Sequence, residues 1–310
     1  DGITVTNDAA RSELVFDFPH VTLAHGSMLE PEIMAAVIPM RGYLHGFSIE
    51  LVTMDGDVVP NSLIHHVNII APNRRELFSH IMQRVGAAGA ETGPLQFPKF
   101  IGYPVSQGDS LIFSVMLHNQ TERNYEHVML RVRFKYSKPS TVAPVVAFQP
   151  FYMDVMPPAG VHAYNLPAGK SSKSWEGSPA IPGRVIALGG HMHKFGTRMV
   201  LEDVTAGKTL WETTPQTDST GQVIGMPRKL FFGSLGLQIV PTHVYRITVY
   251  YDNPTGAEIE EGAMGTLGGL FVPDDRALWP AVDRTNPEYI ADVNVTYDKK
   301  SAAAGMMHHH

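Results

Sequence analysis

The 310-residue sequence has no cysteine. That absence excludes disulfides, zinc–thiolate sites, iron–sulfur clusters and thiol nucleophiles together, and it leaves the compartment open. Basic residues are the scarcer charge: 24 Lys and Arg against 30 Asp and Glu give a formal net charge of −6, with no basic block. Nucleic acid and an anionic membrane surface are therefore excluded as main partners. No apolar run approaches the roughly 18 residues that a membrane helix requires. H-E-x-x-H, G-x-S-x-G and P-loop motifs are absent. A cupin pattern fails because Thr197 and Arg198 follow His193 where a carboxylate is wanted. There are no heptads and no repeats of 20–50 residues.

What is present is a globular composition, 44% hydrophobic and 17% charged, in a chain long enough for two domains. Short β-like runs are separated by Gly, Pro and Asn. They include Glu13–Phe18, Gly46–Val52, Ser62–Ile70, Ser110–His118, Val128–Tyr136, Phe151–Met156, Val185–His193 and Val244–Tyr251. Ala206-Gly207 between Met199–Val204 and Thr209–Glu212 predicts a hairpin. Pro157 to Gly183 reads as a long Pro/Gly/Ser connection. One helix is predicted over about 74–85: Asn73 and Glu76 have capping-box spacing, and Leu77, Ile81 and Val85 recur every four residues. Ser137-Lys138-Pro139-Ser140-Thr141 is the linker candidate. The expectation is an all-β chain of two antiparallel β-sandwich domains, 1–140 and 141–300, with 301–310 as a tail or affinity tag. The start at Asp1, without Met or a leader, is expected of a trimmed form.

Histidines carry the chemistry. In Gly189-Gly190-His191-Met192-His193-Lys194-Phe195-Gly196 two imidazoles stand at i and i+2 of a strand end, so both project from one face and can address one ion. His65 and His66 are adjacent, so joint use as ligands requires a bulge or a strand end; otherwise one faces the core and one faces solvent. His118 ends an apolar strand. Met264 lies among glycines; its default role is core filler, and as a ligand with two imidazoles its soft thioether favours copper over zinc or magnesium. His20, His25, His45, His80, His127, His162 and His243 have no paired spacing and read as structural or surface residues.

Taken together, His65-His66, His118, His191-x-His193 and Met264 resemble, in order, the ligand series of the copper type II, ascorbate-dependent monooxygenases. That family includes the peptidylglycine α-hydroxylating and dopamine β-monooxygenases. The turn Leu166-Pro167-Ala168-Gly169 is similar to a Pro-Gly turn of the family. The resemblance implies two jelly-roll-like domains, each presenting one copper to solvent, hence two copper ions as cofactors. It implies an electron-storing site at His65, His66 and His118, and an oxygen-binding, catalytic site at His191, His193 and Met264. It further implies ascorbate as reductant, dioxygen as co-substrate and hydroxylation of a substrate C–H bond. An extracytoplasmic monomer, periplasmic or secreted, is expected.

The sequence also departs from the family. In the peptide-amidating branch an Arg stands two residues before His-x-His, where this chain has Gly189. The Asn and Tyr that follow its Met are here Thr266 and Gly268, so peptidylglycine is not the expected substrate. Met116 replaces a Gln two residues before His118. The animal members are rich in disulfides, and a chain without cysteine suits a bacterial relative. Two other readings stand beside the enzyme: a non-catalytic copper binder for storage, delivery or sensing, and a structural β-sandwich whose histidines are incidental.

Overall fold

A computed structural model describes residues 2–89, 94–156, 162–231, 233 and 236–297. The expected tail at 301–310 lies outside them. The chain divides into two compact units, one of Asp1–Asn73 with Gln83–Gln149, the other of Arg74–Met82 with Pro150–His310. The division falls after Gln149 rather than at 140, and the second unit takes a short segment from the first half. Both units are β-sandwiches built almost entirely of strands.

The first unit is a sandwich. One sheet orders the strands Thr4–Asp8, Glu13–Asp17, Tyr125–Ser137, Gly42–Thr53, Ile101–Val105 and Val146–Ala147. The other orders Met28–Leu29, Ser110–His118, Ile64–Arg75 and Met82–Ala88. Inward residues of the two sheets interlock through aromatic rings. Phe113 packs on Phe16 at 5.4 Å and edge-on against Phe18 at 5.3 Å, and Phe134 closes on Phe16 at 5.8 Å. Each buried Phe contributes about 1.5–3 kcal/mol of transfer free energy, and the edge-to-face geometry adds to it.

The second unit faces a sheet ordered Gln149–Asp154, Gly265–Pro273, Gly183–Met192 and Lys229–Leu230 with one ordered Gly169–Gly177, Tyr245–Asn253, Gly196–Asp203 and Lys208–Thr213. Leu188, Met192, Leu267 and Phe271 pack in one core with Met199, Leu201, Ile247 and Val249. At Gly265 a Cβ would lie 2.6 Å from Val249 Cγ1 and 3.0 Å from Val155 Cγ2, so this close approach admits only glycine.

The helix predicted over 74–85 does not form. Strand Ile64–Arg75 runs through its start, and strand Met82–Ala88 takes its end. The apolar spacing serves tertiary packing instead. Leu77 is wholly buried in the second unit's core, and Phe78 sits edge-on to Phe151, Trp175 and Tyr245. The backbone donors are met at long range: His80 N–H by Glu288 and Met82 N–H by Asp292, each at 2.9 Å. Those carboxylates belong to the helix Pro287–Tyr297, in the second unit. Its start is written in the sequence as Asn286-Pro287-Glu288: Asn286 accepts the Glu288 N–H at 2.9 Å, Pro287 opens the first turn, and Glu288 complements the N-terminal dipole.

The stretch 157–183 also differs from the expected connection; its residues 157–161 lie outside the described ones. It contains the strand Gly169–Gly177, paired along its whole length with Tyr245–Asn253. Of its side chains only Trp175 is a large hydrophobe, so the backbone ladder rather than apolar alternation defines it. Lys173 lays its ammonium 4.6 Å from the Tyr164 ring centre, which keeps a charged side chain on an inward position.

Candidate metal centres

In the first unit, Met116 pairs with His66, but the next residue, Leu117, pairs with Ile64. His65 is thus the extra residue of a β-bulge. Burial along the strand shows its effect: Ile64 and Val67 are buried, while His65 is exposed and His66 half-buried. Two consecutive side chains leave the core together, which a regular strand forbids. Their rings lie 5.3 Å apart at 49°. His118 ends the neighbouring strand opposite Met28, and its Nδ1 is 3.1 Å from Gln120 Nε2. Met116 shares its strand face with His118. Among the described residues no three His, Asp or Glu side chains gather as a metal-holding group. The His65–His66 pair is therefore assembled, and His118 is on the adjacent strand, but the expected three-imidazole set is not closed.

In the second unit, strand Gly183–Met192 pairs with Gly265–Pro273, His191 opposite Thr266 and Met192 opposite Gly265. His193 and Met264 are the next residues beyond this ladder. Their backbones are joined by one side chain. The Tyr251 hydroxyl accepts the His193 N–H at 3.1 Å and the Met264 N–H at 3.0 Å, and it donates to the Met264 carbonyl. One donor and two acceptor positions exhaust a phenol. Tyr251 is 2% exposed; burial holds its phenol above the ordinary value, and Asp154 adds to the shift, so the hydroxyl keeps the proton it donates. The His191 and His193 rings are 5.4 Å apart at 86°. His191 is exposed, and His193 and Met264 are half-buried, so a soft donor sits at the surface rather than in the core. Directly after His193 the chain turns: Gly196 N–H bonds to the His193 carbonyl, and Phe195 adopts a left-handed φ of 68°.

Two imidazoles at one strand end, with a methionine at the adjoining end of its partner strand, are a donor set that fits a cuprous ion. The first-unit pair offers two imidazoles and fits such an ion only in part.

Sequence reasoning missed three groups. Tyr251 carries no signal in its own spacing. His162 and His243, read as structural or surface, each hold a carboxylate through Nδ1: Asp154 at 3.0 Å and Asp203 at 2.7 Å. Nothing in the sequence relates Asp203 to His243, forty residues on.

No family model matches the chain, and no curated protein matches it. Among solved structures it is similar to the STIV MCP, with 9% identity and a TM-score of 0.39 over 84% of this chain and 97% of that one. It is also similar to a peptide-N(4)-(N-acetyl-β-D-glucosaminyl) asparagine amidase, with 8% identity and a TM-score of 0.44 over 85% and 97%. The infectious bursal disease virus VP2 subviral particle matches with 9% identity and a TM-score of 0.28 over 90% and 78%. None of these likenesses assigns a function. Among the described residues no helix is long and apolar enough to cross a membrane.

Proposed function

We propose that the chain is a copper-dependent, monooxygenase-like oxidoreductase that uses dioxygen and a reductant such as ascorbate to hydroxylate a C–H bond. The observation that carries the reading is the Tyr251 hydroxyl, which joins His193 to Met264, two residues that no local sequence pattern relates. His191, His193 and Met264 would hold the ion of the second unit. Copper supplies one-electron chemistry with dioxygen when bound. The chain's own part is positional: the ladder sets His191 against Thr266, Tyr251 fixes the backbones that carry His193 and Met264, and the thioether favours the reduced ion. His65 and His66, with His118 on the next strand, would hold a second copper. The substrate is not a peptidylglycine, since Gly189, Thr266 and Gly268 offer no grip on a carboxylate. An extracytoplasmic monomer that binds no nucleic acid completes the proposal.

A second reading, non-catalytic copper storage, delivery or sensing, is favoured by one observation: the first-unit imidazoles do not close into a three-histidine group.

The experiment is copper stoichiometry on protein freed of His308, His309 and His310, followed by ascorbate-driven oxygen uptake across a substrate panel. Two coppers with substrate-coupled uptake support the enzyme. Reversible copper binding without uptake supports the carrier. Failure to bind copper refutes both.

A further inference from the structure

Asp154 ends the strand Gln149–Asp154 with its side chain 1% exposed. Its Oδ1 accepts the Met156 N–H at 2.9 Å. Its Oδ2 accepts the Thr266 hydroxyl at 2.8 Å, the Tyr152 hydroxyl at 3.2 Å and the His162 Nδ1–H at 3.0 Å. Four donors thus meet this buried carboxylate, three of them crowded on Oδ2. With Nδ1–H committed to Asp154, a neutral His162 ring carries its lone pair on Nε2. The His162 side chain is 28% exposed, and no hydrogen bond among the described residues engages Nε2.

This pair stands in register with the second candidate centre. Strands Gln149–Asp154, Gly265–Pro273 and Gly183–Met192 are consecutive in one sheet. Thr266, bonded to Asp154, is the direct partner of His191. Asp154, Thr266 and His191 therefore form a row across three strands, about 10 Å wide at two strand spacings, with His162 attached at the far end. The Asp203–His243 pair has no such row: Asp203 also caps the hairpin turn at the Ala206 N–H, and His243 stacks on Tyr245.

The geometry points to Asp154 and His162 as a proton-accepting pair, in which Asp154 positions the ring and His162 Nε2 accepts from an O–H or N–H group of a ligand on the face that carries His191. In a full transfer the ligand's O–H or N–H bond breaks and its electron pair stays on the oxygen or nitrogen. The proton bonds to Nε2, and the imidazolium keeps its Nδ1–H on Asp154. No oxidant or reductant takes part, so the pair goes beyond the copper reading and does not depend on it.

The test uses the copper-free, tag-free chain. Long-range 1H–15N spectra of the wild-type imidazoles are expected to show His162 as the Nδ1–H tautomer; an Nε2–H tautomer overturns the proposal without any variant. Diethylpyrocarbonate labelling followed by peptide mass mapping reads the Nε2 lone pair. Asp154→Asn can donate its amide to Nδ1 and reverse the tautomer, so labelling of His162 should fall about tenfold while His243 keeps its rate. Equal labelling of His162 in variant and wild type refutes the role of Asp154. Phenol should slow the labelling of His162, and anisole, the same ring without the O–H, should not. Protection by both, or by neither, overturns the acceptor role.

Discussion

The two histidine-bearing strand ends reach the surface by different devices. In the first unit one extra residue, His65, shifts the register and turns two neighbouring imidazoles out of the core. In the second the imidazoles are spaced by two, so the pleat aligns them, and the partner strand's Met264 is held by a buried phenol. The bulge is a solution confined to one strand pair, Ile64–Arg75 with Ser110–His118. The phenol is a non-local one, since Tyr251 comes from a strand of the opposite sheet. A local device re-aims side chains without fixing a third donor. A hydroxyl with all its positions used fixes the backbone on both sides of a site.

The strongest test of this contrast is ligand loss. His191→Ala or Met264→Ala should remove one of two coppers and leave the other nearly intact, because the donors belong to separate units. Copper stoichiometry reads it, and loss of both ions from either variant would break the two-centre picture. Tyr251→Phe keeps the ring and deletes only the hydroxyl, with the three hydrogen bonds it makes to His193 and Met264. Cuprous affinity of the second centre should weaken about 10–100-fold, the usual scale for outer-sphere loss. Unfolding stability should fall by about 1–3 kcal/mol for each group left buried and unbonded. Unchanged cuprous affinity in a folded variant would show that the clip does not position the donors.

A smaller effect is expected at His118. His65→Ala or His66→Ala should weaken first-unit copper more than His118→Ala does, since only the adjacent pair is assembled. Equal losses in a chelator competition would mean that the three imidazoles close on metal and that the contrast between the units is smaller than drawn. The smallest effect concerns protonation. His45 is 3% exposed, its Nδ1 has no hydrogen-bond partner among the described residues, and burial holds its imidazole below the ordinary 6.5 against the opposing effect of the backbone at Tyr136. The unfolded chain therefore takes up a proton that the folded chain resists. Stability is full above about pH 6.5 and declines as pH falls below it toward the folded value. His45→Leu should flatten that decline in denaturant titrations; an unaltered slope would place the acid sensitivity elsewhere.

Much of the fold was legible because a half-buried strand writes its period into the sequence. Ser110–His118 was read to the residue, and the hairpin at Ala206-Gly207 forms with Gly207 at a φ of 64°. The helix was misplaced for a reason that spacing cannot reveal. Leu77, Ile81 and Val85 fit a helical face, but Leu77 enters the second unit's core, and tertiary burial outweighs a capping-box preference of about 1 kcal/mol. The real helix had its signal in Asn286-Pro287-Glu288, and its weakly apolar face concealed it. The polar strand Gly169–Gly177 was invisible because backbone pairing, not side-chain burial, holds it.

The amino-acid order alone determined which donors exist: no thiol, an adjacent histidine pair, a histidine at a strand end, a His-x-His and a methionine among glycines. It also determined that strands present them, since alternation is a property of neighbouring residues. Only the tertiary structure decided the bulge at His65, the Tyr251 bond to Met264 and the meeting of Asp154 with His162. Each follows from strand register and packing across the sheets, which no local pattern encodes.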